Sequence, residues 1–276
     1  MRRAGLLAVA AAAVSLCGFS SAAVASAAPP AWHYCAKATP KNTGSYSDKS
    51  CSLASEPGKG SYELFAGVGK GKAFKGKGGS GRQILIVIPG KAELHLECAK
   101  SALTGHPVAP SGVKGVVITY SKCTMLGAPC KSEGSPKGTV HTETLSGELG
   151  WLNKVKGMAG VSLSNEVSPG TGYVVMFGCE FNPGEVVGFR SFGAFIGEIA
   201  TTGAVGKEFL LDYSTGQYVE EPNEPTNPPE FEERFVGTLQ SEYNSVESGF
   251  EWVPPGGLRG GLEHGLAVKG EALSIS

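Results

Sequence analysis

Hydrophobic positions in this chain recur with period two in short runs, separated by clusters of glycine, proline and serine. Over residues 92–98, Leu94, Leu96 and Cys98 alternate with Glu93, His95 and Glu97, which places the two sets on opposite faces of a strand. Residues 84–88 (Ile-Leu-Ile-Val-Ile) are apolar on both faces, the pattern of a strand buried within a core. Residues 116–120 are rich in β-branched side chains and flanked by turn residues, which again predicts a strand. The same grammar predicts strands at 62–65, 161–163, 172–179, 185–192, 194–199, 209–213, 235–243, 249–253 and 266–275. Helical periodicity is nowhere sustained over ten residues without glycine; residues 145–155 come nearest, and Gly147 and Gly150 weaken them. The pattern therefore predicts an all-β fold, an antiparallel β-sandwich or barrel-like body of many short strands. Crossover helices for a parallel α/β sheet are missing.

Two segments break the rhythm. Residues 67–81 set Lys70, Lys72, Lys75 and Lys77 among glycines, and residues 220–233 are acidic and proline-rich. Both are expected to be long exposed loops, the second because proline cannot donate to a central ladder.

Composition sharpens this picture. Glycine supplies 41 of 276 residues and charged residues only 18%, so tight turns are plentiful, while an apolar fraction of 41% argues against disorder. Residues 1–28 are expected to be an export signal: Arg2 and Arg3 precede an apolar stretch from Ala4 to Cys17, and Ala25-Ser26-Ala27 offers a cleavage site. Leu16 before Cys17 does not fit a lipoprotein signal, which needs a small residue there. No later segment is long and apolar enough to cross a bilayer, so a single secreted domain spanning residues 29–276 is expected, with no membrane span after cleavage.

Beyond that signal lie six cysteines, Cys35, Cys51, Cys98, Cys123, Cys130 and Cys179. An even number in an exported chain predicts three disulfides, and no C-x-x-C pair points to zinc or to a redox site. Short separations favour Cys35–Cys51 and Cys123–Cys130, which leaves Cys98–Cys179 to close the longest loop. Charge is divided along the chain: residues 29–160 carry 17 Lys and Arg against 8 Asp and Glu, residues 161–276 carry 5 against 17. Either opposite faces attract, within one molecule or between two, or strands from both halves interleave and the charges mix; the second is favoured.

The series Cys123, Cys130, Gly134, Thr142, Leu145, Gly147-Glu148-Leu149-Gly150 and Phe177-Gly178-Cys179 resembles a group of exported actinobacterial proteins of the Solirubrobacterales type. The resemblance covers about residues 84–213 and rests on structural motifs. It implies secretion and β-structure, and it brings no functional residues.

Chemistry is sparse. No G-x-S-x-G turn presents a serine nucleophile and no H-E-x-x-H or similar spacing presents a metal site among the five histidines. Glu93 with Glu97, and Glu180 with Glu185, are the nearest paired carboxylates, and a solvated β-face explains them equally well. Residues 76–81 match G-x-G-x-x-G, but a strand follows where a phosphate-binding helix is required. No catalytic residue, cofactor or metal is therefore predicted, and with a negative mature chain and only Phe74 among the lysines, nucleic acid is not expected. Trp32, Trp151 and Trp252, with Tyr34 and Tyr46, are weighed as sugar-stacking residues, though aromatics more often serve a core. Lys70, Lys72, Lys75 and Lys77 are the candidate binding residues, suited to an acidic wall or matrix polymer. The expectation is a non-catalytic secreted or cell-envelope module that binds such a polymer or a protein partner. A hydrolase with carboxylates assembled from loops and a self-associating structural protein are the rivals.

Overall fold

A computed structural model describes residues 30–88, 92–153, 156–169, 172–199, 206–212, 240–244, 260–262 and 266–275. The expected export signal, the acidic segment 220–233 and the predicted strand at 249–253 with Trp252 lie outside these residues. Among the described residues every regular element is a strand. In chain order the first seven are β1 (Trp32–Lys37), β2 (Tyr62–Ala66), β3 (Phe74–Gly78), β4 (Gly81–Ile88), β5 (Ala92–Cys98), β6 (Lys100–Val108) and β7 (Gly112–Ser121). Then come β8 (Thr124–Met125), β9 (Ala128–Lys131), β10 (Thr139–His141), β11 (Leu145–Asn153), β12 (Met158–Asn165), β13 (Tyr173–Asn182), β14 (Glu185–Phe192) and β15 (Ala194–Ile199). The last four are β16 (Gly206–Asp212), β17 (Gln240–Asn244), β18 (Gly260–Leu262) and β19 (Leu266–Ile275).

The all-β expectation holds, and the barrel-like form is the one adopted. Antiparallel pairing runs β16-β15-β12-β11-β7-β6-β3-β19, and β19 pairs back onto β16, so the hydrogen-bonded path returns on itself. The other edge of β19 carries β3 and then β1, which in turn pairs with β2. Inward positions alternate as a small barrel requires: on β6, Ser101, Leu103, Gly105 and Pro107 are buried while Lys100, Ala102, Thr104 and His106 are exposed. Phe74, Leu103, Val116, Val161, Leu163, Ile199 and Leu211 converge on a residual void of about 20 Å3, too small for more than about one water. Trp32 sits at this interior, 2% exposed, its indole N–H donating to Gly112 O at 2.9 Å.

A second antiparallel sheet has the order β17-β14-β13-β9-β8-β5-β4-β18. Its Ile84, Leu96, Met125, Phe177 and Phe189 join the barrel residues in one buried cluster. Both sheets place strands from the basic first half in one block and strands from the acidic second half in another, with β18 and β19 crossing over to the basic side. The expected interleaving is thus partial, and the two blocks meet at β11–β12 and at β9–β13.

The weakened helix candidate is a strand as far as Asn153: Leu145 to Asn153 form β11, where Leu145 and Leu149 are both buried two pleats apart, a spacing of four that a helix shares. The disulfides are Cys35–Cys51, as expected, but then Cys98–Cys123 and Cys130–Cys179 instead of Cys123–Cys130 and Cys98–Cys179. The reason lies in the register. Glu97 pairs with Thr124, Thr124 with Pro129 and Cys179 with Cys130, so Cys98, Cys123, Cys130 and Cys179 form one row across β5, the start of β8, β9 and β13. Cys130 N–H donates to Cys123 O at 3.0 Å, while Cys123 N–H donates to Gly138 O and Cys130 O accepts from the Gly138 amide, so the peptide groups of this central couple are turned toward each other's side of the row, as in the wider kind of antiparallel pair. Each cysteine bonds instead to its neighbour on the other side, where the Cα atoms are only 4.1 and 4.0 Å apart.

Digestion of the unreduced protein with trypsin and cleavage at Met125, which separates Cys123 from Cys130, is expected to yield peptides linked Cys98–Cys123 and Cys130–Cys179. By loop-closure entropy the second link contributes about 4 kcal/mol, so Cys130→Ala/Cys179→Ala is expected to lower the melting temperature clearly. At the barrel wall, a Cβ on Gly105 would lie 2.6 Å from Cζ of Phe74 and 2.9 Å from Val116. Gly105→Ala is expected to destabilise by about 1–3 kcal/mol through overpacking, measured by denaturant unfolding.

Candidate functional site

The lysine segment is where structure and expectation differ most usefully. Residues 74–78 are not loop: β3 is an interior barrel strand, paired on one side with β6 and on the other with β19. Phe74 and Gly76 point in, and Lys75 and Lys77 point out. The Phe74 ring lies over Gly105, its cross-strand partner, and so fixes the register. Lys70 and Lys72 precede the strand and are exposed. Of the four candidate lysines, the fold therefore holds two on a rigid face and leaves two in the connection before it.

Cross-strand register extends this face. Lys75 is opposite Thr104 and then Val117; Lys77 is opposite Ala102, then Thr119 and His141. Lys100 lies beside Ser121, and His106 beside Lys114. Strands β3, β6, β7 and β10 thus contribute Lys75, Lys77, Lys100 and Lys114 and contain no Asp or Glu. Several residues between the lysines are small (Ala102, Thr104, Thr119, Ser121), with Val117, His106 and His141 beside them. Successive outward lysines on one strand are about 7 Å apart, and neighbouring strands about 5 Å. On β19, Lys269 occupies the register position next to Lys75, and Glu208 of β16 the position on the far side of Lys269.

A second concave region lies at the seam of β9, β13 and β14. Gly178 and Gly188 face each other, with Lys131 next to Gly178. Met176 and Arg190 form the flanking pair on one side, Glu180 and Val186 on the other. The result is a trough of about 430 Å3 floored by glycine peptide planes and closed by Lys131, Glu133 and Lys137. Lys137 Nζ lies 3.2 Å from Glu180 Oε2, and Gly184 N–H donates to the same carboxylate at 3.2 Å. The Gly184 amide first, then Lys137, holds the Glu180 carboxyl below its ordinary range. On the trough's outer flank Arg190 lies 4.7 Å over the Tyr173 ring. Sequence reasoning named Glu180 only as half of a carboxylate pair with Glu185; the signal it passed over was Gly178 and Gly188 inside strand patterns, where glycine marks a close approach.

The other candidates resolve into structural roles. Glu185 accepts from Asn182 Nδ2 at 2.7 Å across the β13–β14 turn. Trp32 is buried and Trp151 packs against the core, so neither is a free stacking platform. Tyr34 packs beside Phe65 with ring centres 5.8 Å apart and planes tilted by 30°. Asp48 accepts from the amides of Ser50, Ser52 and Leu53 and from the Ser50 and Ser52 hydroxyls. These hydrogen bonds, that of Ser50 foremost, hold its carboxyl well below the usual carboxylate range and fix the turn that carries Cys51. Ser135 Oγ lies 3.1 Å from His141 Nδ1, yet that is the ring nitrogen a carboxylate occupies in a hydrolytic triad. Ser132 is committed to backbone atoms of Met176 and His141. No group of three or more metal-ligating side chains occurs among the described residues.

No protein-family model, curated protein or solved structure matches the chain. Three disulfides point to an oxidising environment, and among the described residues no helix is long and apolar enough to cross a membrane.

Because the Glu180 pKa is depressed, the Lys137 link is fully formed above the ordinary glutamate value of about 4.3 and is lost as pH falls through the lower folded value. Lys137→Ala is expected to raise the Glu180 pKa toward the ordinary range, read as a shifted midpoint in a carboxyl NMR titration; an unmoved midpoint would mean that the Gly184 amide alone sets it.

Proposed function

We propose that this protein is a secreted, non-catalytic module of the cell envelope or extracellular space that binds an acidic wall or matrix polymer through the outer face of β3, β6, β7 and β10. The observation that carries this reading is that Lys75, Lys77, Lys100 and Lys114 stand on three adjacent strands, β3, β6 and β7, which with the neighbouring β10 contain no carboxylate. A cationic strip on a barrel wall keeps its spacing when a polyanion arrives, so little side-chain order is lost beyond the lysines themselves. Like charges on neighbouring strands also cost stability, and an anionic partner relieves that repulsion. Export accords with the disulfides, and the resemblance to exported β-rich actinobacterial proteins points the same way. The hydrolase alternative has weaker support: a general acid needs a raised pKa, and Glu180 and Asp48 are both shifted down. Self-association through the basic and acidic blocks remains a distinct arrangement that sizing chromatography at low and high salt separates from polymer binding.

The test is retention on cell-wall polymer. The oxidised protein is expected to bind at low ionic strength and to be released at high salt, where the Debye length falls to about 3 Å. Lys75→Glu/Lys77→Glu is expected to weaken retention about tenfold. Retention indifferent both to salt and to that double reversal overturns the proposal.

A further inference from the structure

Next to the lysine face, the β7–β11–β12 seam opens into a pocket of about 440 Å3, within the roughly 300–1,000 Å3 typical of small-ligand sites. A bulge causes the opening. Between Thr104 and His106 on β6 the opposing β7 spends an extra residue, with Gly115 at φ 58°, and β7 also slips against β11 between Leu145 and Gly147. Bulges re-aim side chains beside functional sites; here Lys114 is turned to the pocket mouth, while Glu166 Oε2 accepts the Gly115 amide at 3.2 Å and holds the bulge.

The lining is hydroxyl-rich. Ser146 is opposite Ser164, and Glu148 is opposite Ser162, on the outward face of β11 and β12. Three hydroxyls and one carboxylate therefore form a quadrilateral about 5 Å by 7 Å in backbone spacing, the scale of a single sugar ring. Between them Gly147 permits the strands to close: a Cβ there would sit 1.8 Å from Ser162 O. Among the described residues, none of the side chains of Ser146, Ser162, Ser164, Glu148 and Lys114 makes a hydrogen bond or ion pair. Ser162 is only 8% exposed, yet its hydroxyl is not a buried atom, so the little of the residue left uncovered includes a donor and acceptor open to a ligand.

We infer that this pocket seats one hydroxyl-bearing unit, a sugar ring or a polyol, of the same anionic polymer that the lysine face contacts. The inference rests on the binding reading above and names the polymer's chemistry. Serine hydroxyls donate to and accept from vicinal hydroxyls of the unit, Glu148 accepts from one of them, and Lys114 meets the anionic group. Lys114 also continues the track: it pairs with His106, and one pleat along β6 Thr104 is the partner of Lys75. The polymer would thus run from the pocket along the lysines, with specificity in the hydroxyl contacts and affinity in the charges.

Three probes separate these parts: oligogalacturonate (ring hydroxyls with carboxylates), poly(glycerol phosphate) (a linear polyol with phosphates) and inorganic polyphosphate (charge alone). Ser146→Ala/Ser162→Ala/Ser164→Ala is expected to weaken a hydroxylated probe about tenfold and leave polyphosphate unchanged. A larger loss with galacturonate assigns a ring sugar; a larger loss with glycerol phosphate assigns a linear polyol. Equal affinity of wild type and variant for both hydroxylated probes overturns the pocket and leaves the lysine face standing. Failure of the wild type to bind any of the three overturns the lysine face, and the pocket inference with it. Should the triple variant lose polyphosphate as well, through misfolding at buried Ser162, Ser146→Ala/Ser164→Ala decides by the same comparison.

Discussion

The alternation of wide and narrow pairs in an antiparallel ladder governs this molecule's second sheet. Four cysteines occupy one row, and backbone hydrogen bonding decides which of them can join. Cys123 and Cys130 are joined through the Cys130 amide; the pairs on either side are narrow and are covalently closed. The two links run through β5, β8, β9 and β13 like rungs, and they are buried against the core. The short β8 and β9, of two and four residues, could not hold their place in the sheet by hydrogen bonds alone. Everything attached to them, including the β9–β13 trough and the approach of β10 to β7, depends on that row.

The barrel is organised by a different constraint, the filling of a narrow interior. Large side chains from several strands meet over glycines, as Phe74 does over Gly105. That single contact turns a lysine- and glycine-rich stretch into a strand, because one inward aromatic supplies the burial that Gly76 cannot. Its outward neighbours are then fixed in direction, and a segment with the composition of a flexible loop becomes a rigid cationic surface.

Where alternation was carried by side chains, sequence and structure agree closely: residues 92–98, 185–192, 194–199 and 266–275 are strands with those bounds. Where glycine occupies an inward slot the period disappears. In β3 the inward set is Phe74 and Gly76, and in β11 it is Leu145, Gly147 and Leu149, which leaves a spacing of four that also fits a helix. The cysteine pairing was illegible for another reason: separation along the chain measures loop entropy, whereas register measures whether two sulfurs can touch. The lysines were legible as a group but not as a surface, since only the barrel brings Lys100 and Lys114 beside Lys75 and Lys77. The serine pocket depends on the Gly115 bulge, which no local pattern announces.

Strand β19 touches three partners, β16, β3 and β1, and it is the last in sequence of the strands among the described residues. The ring therefore has no lock until β19 is in place, and β3 and β19, the earliest and latest of its strands, must meet before the interior is sealed. Until then it stays topologically open. Closure thus rests on the least local contact in the ring, the kind that forms slowly because a long loop must be ordered first.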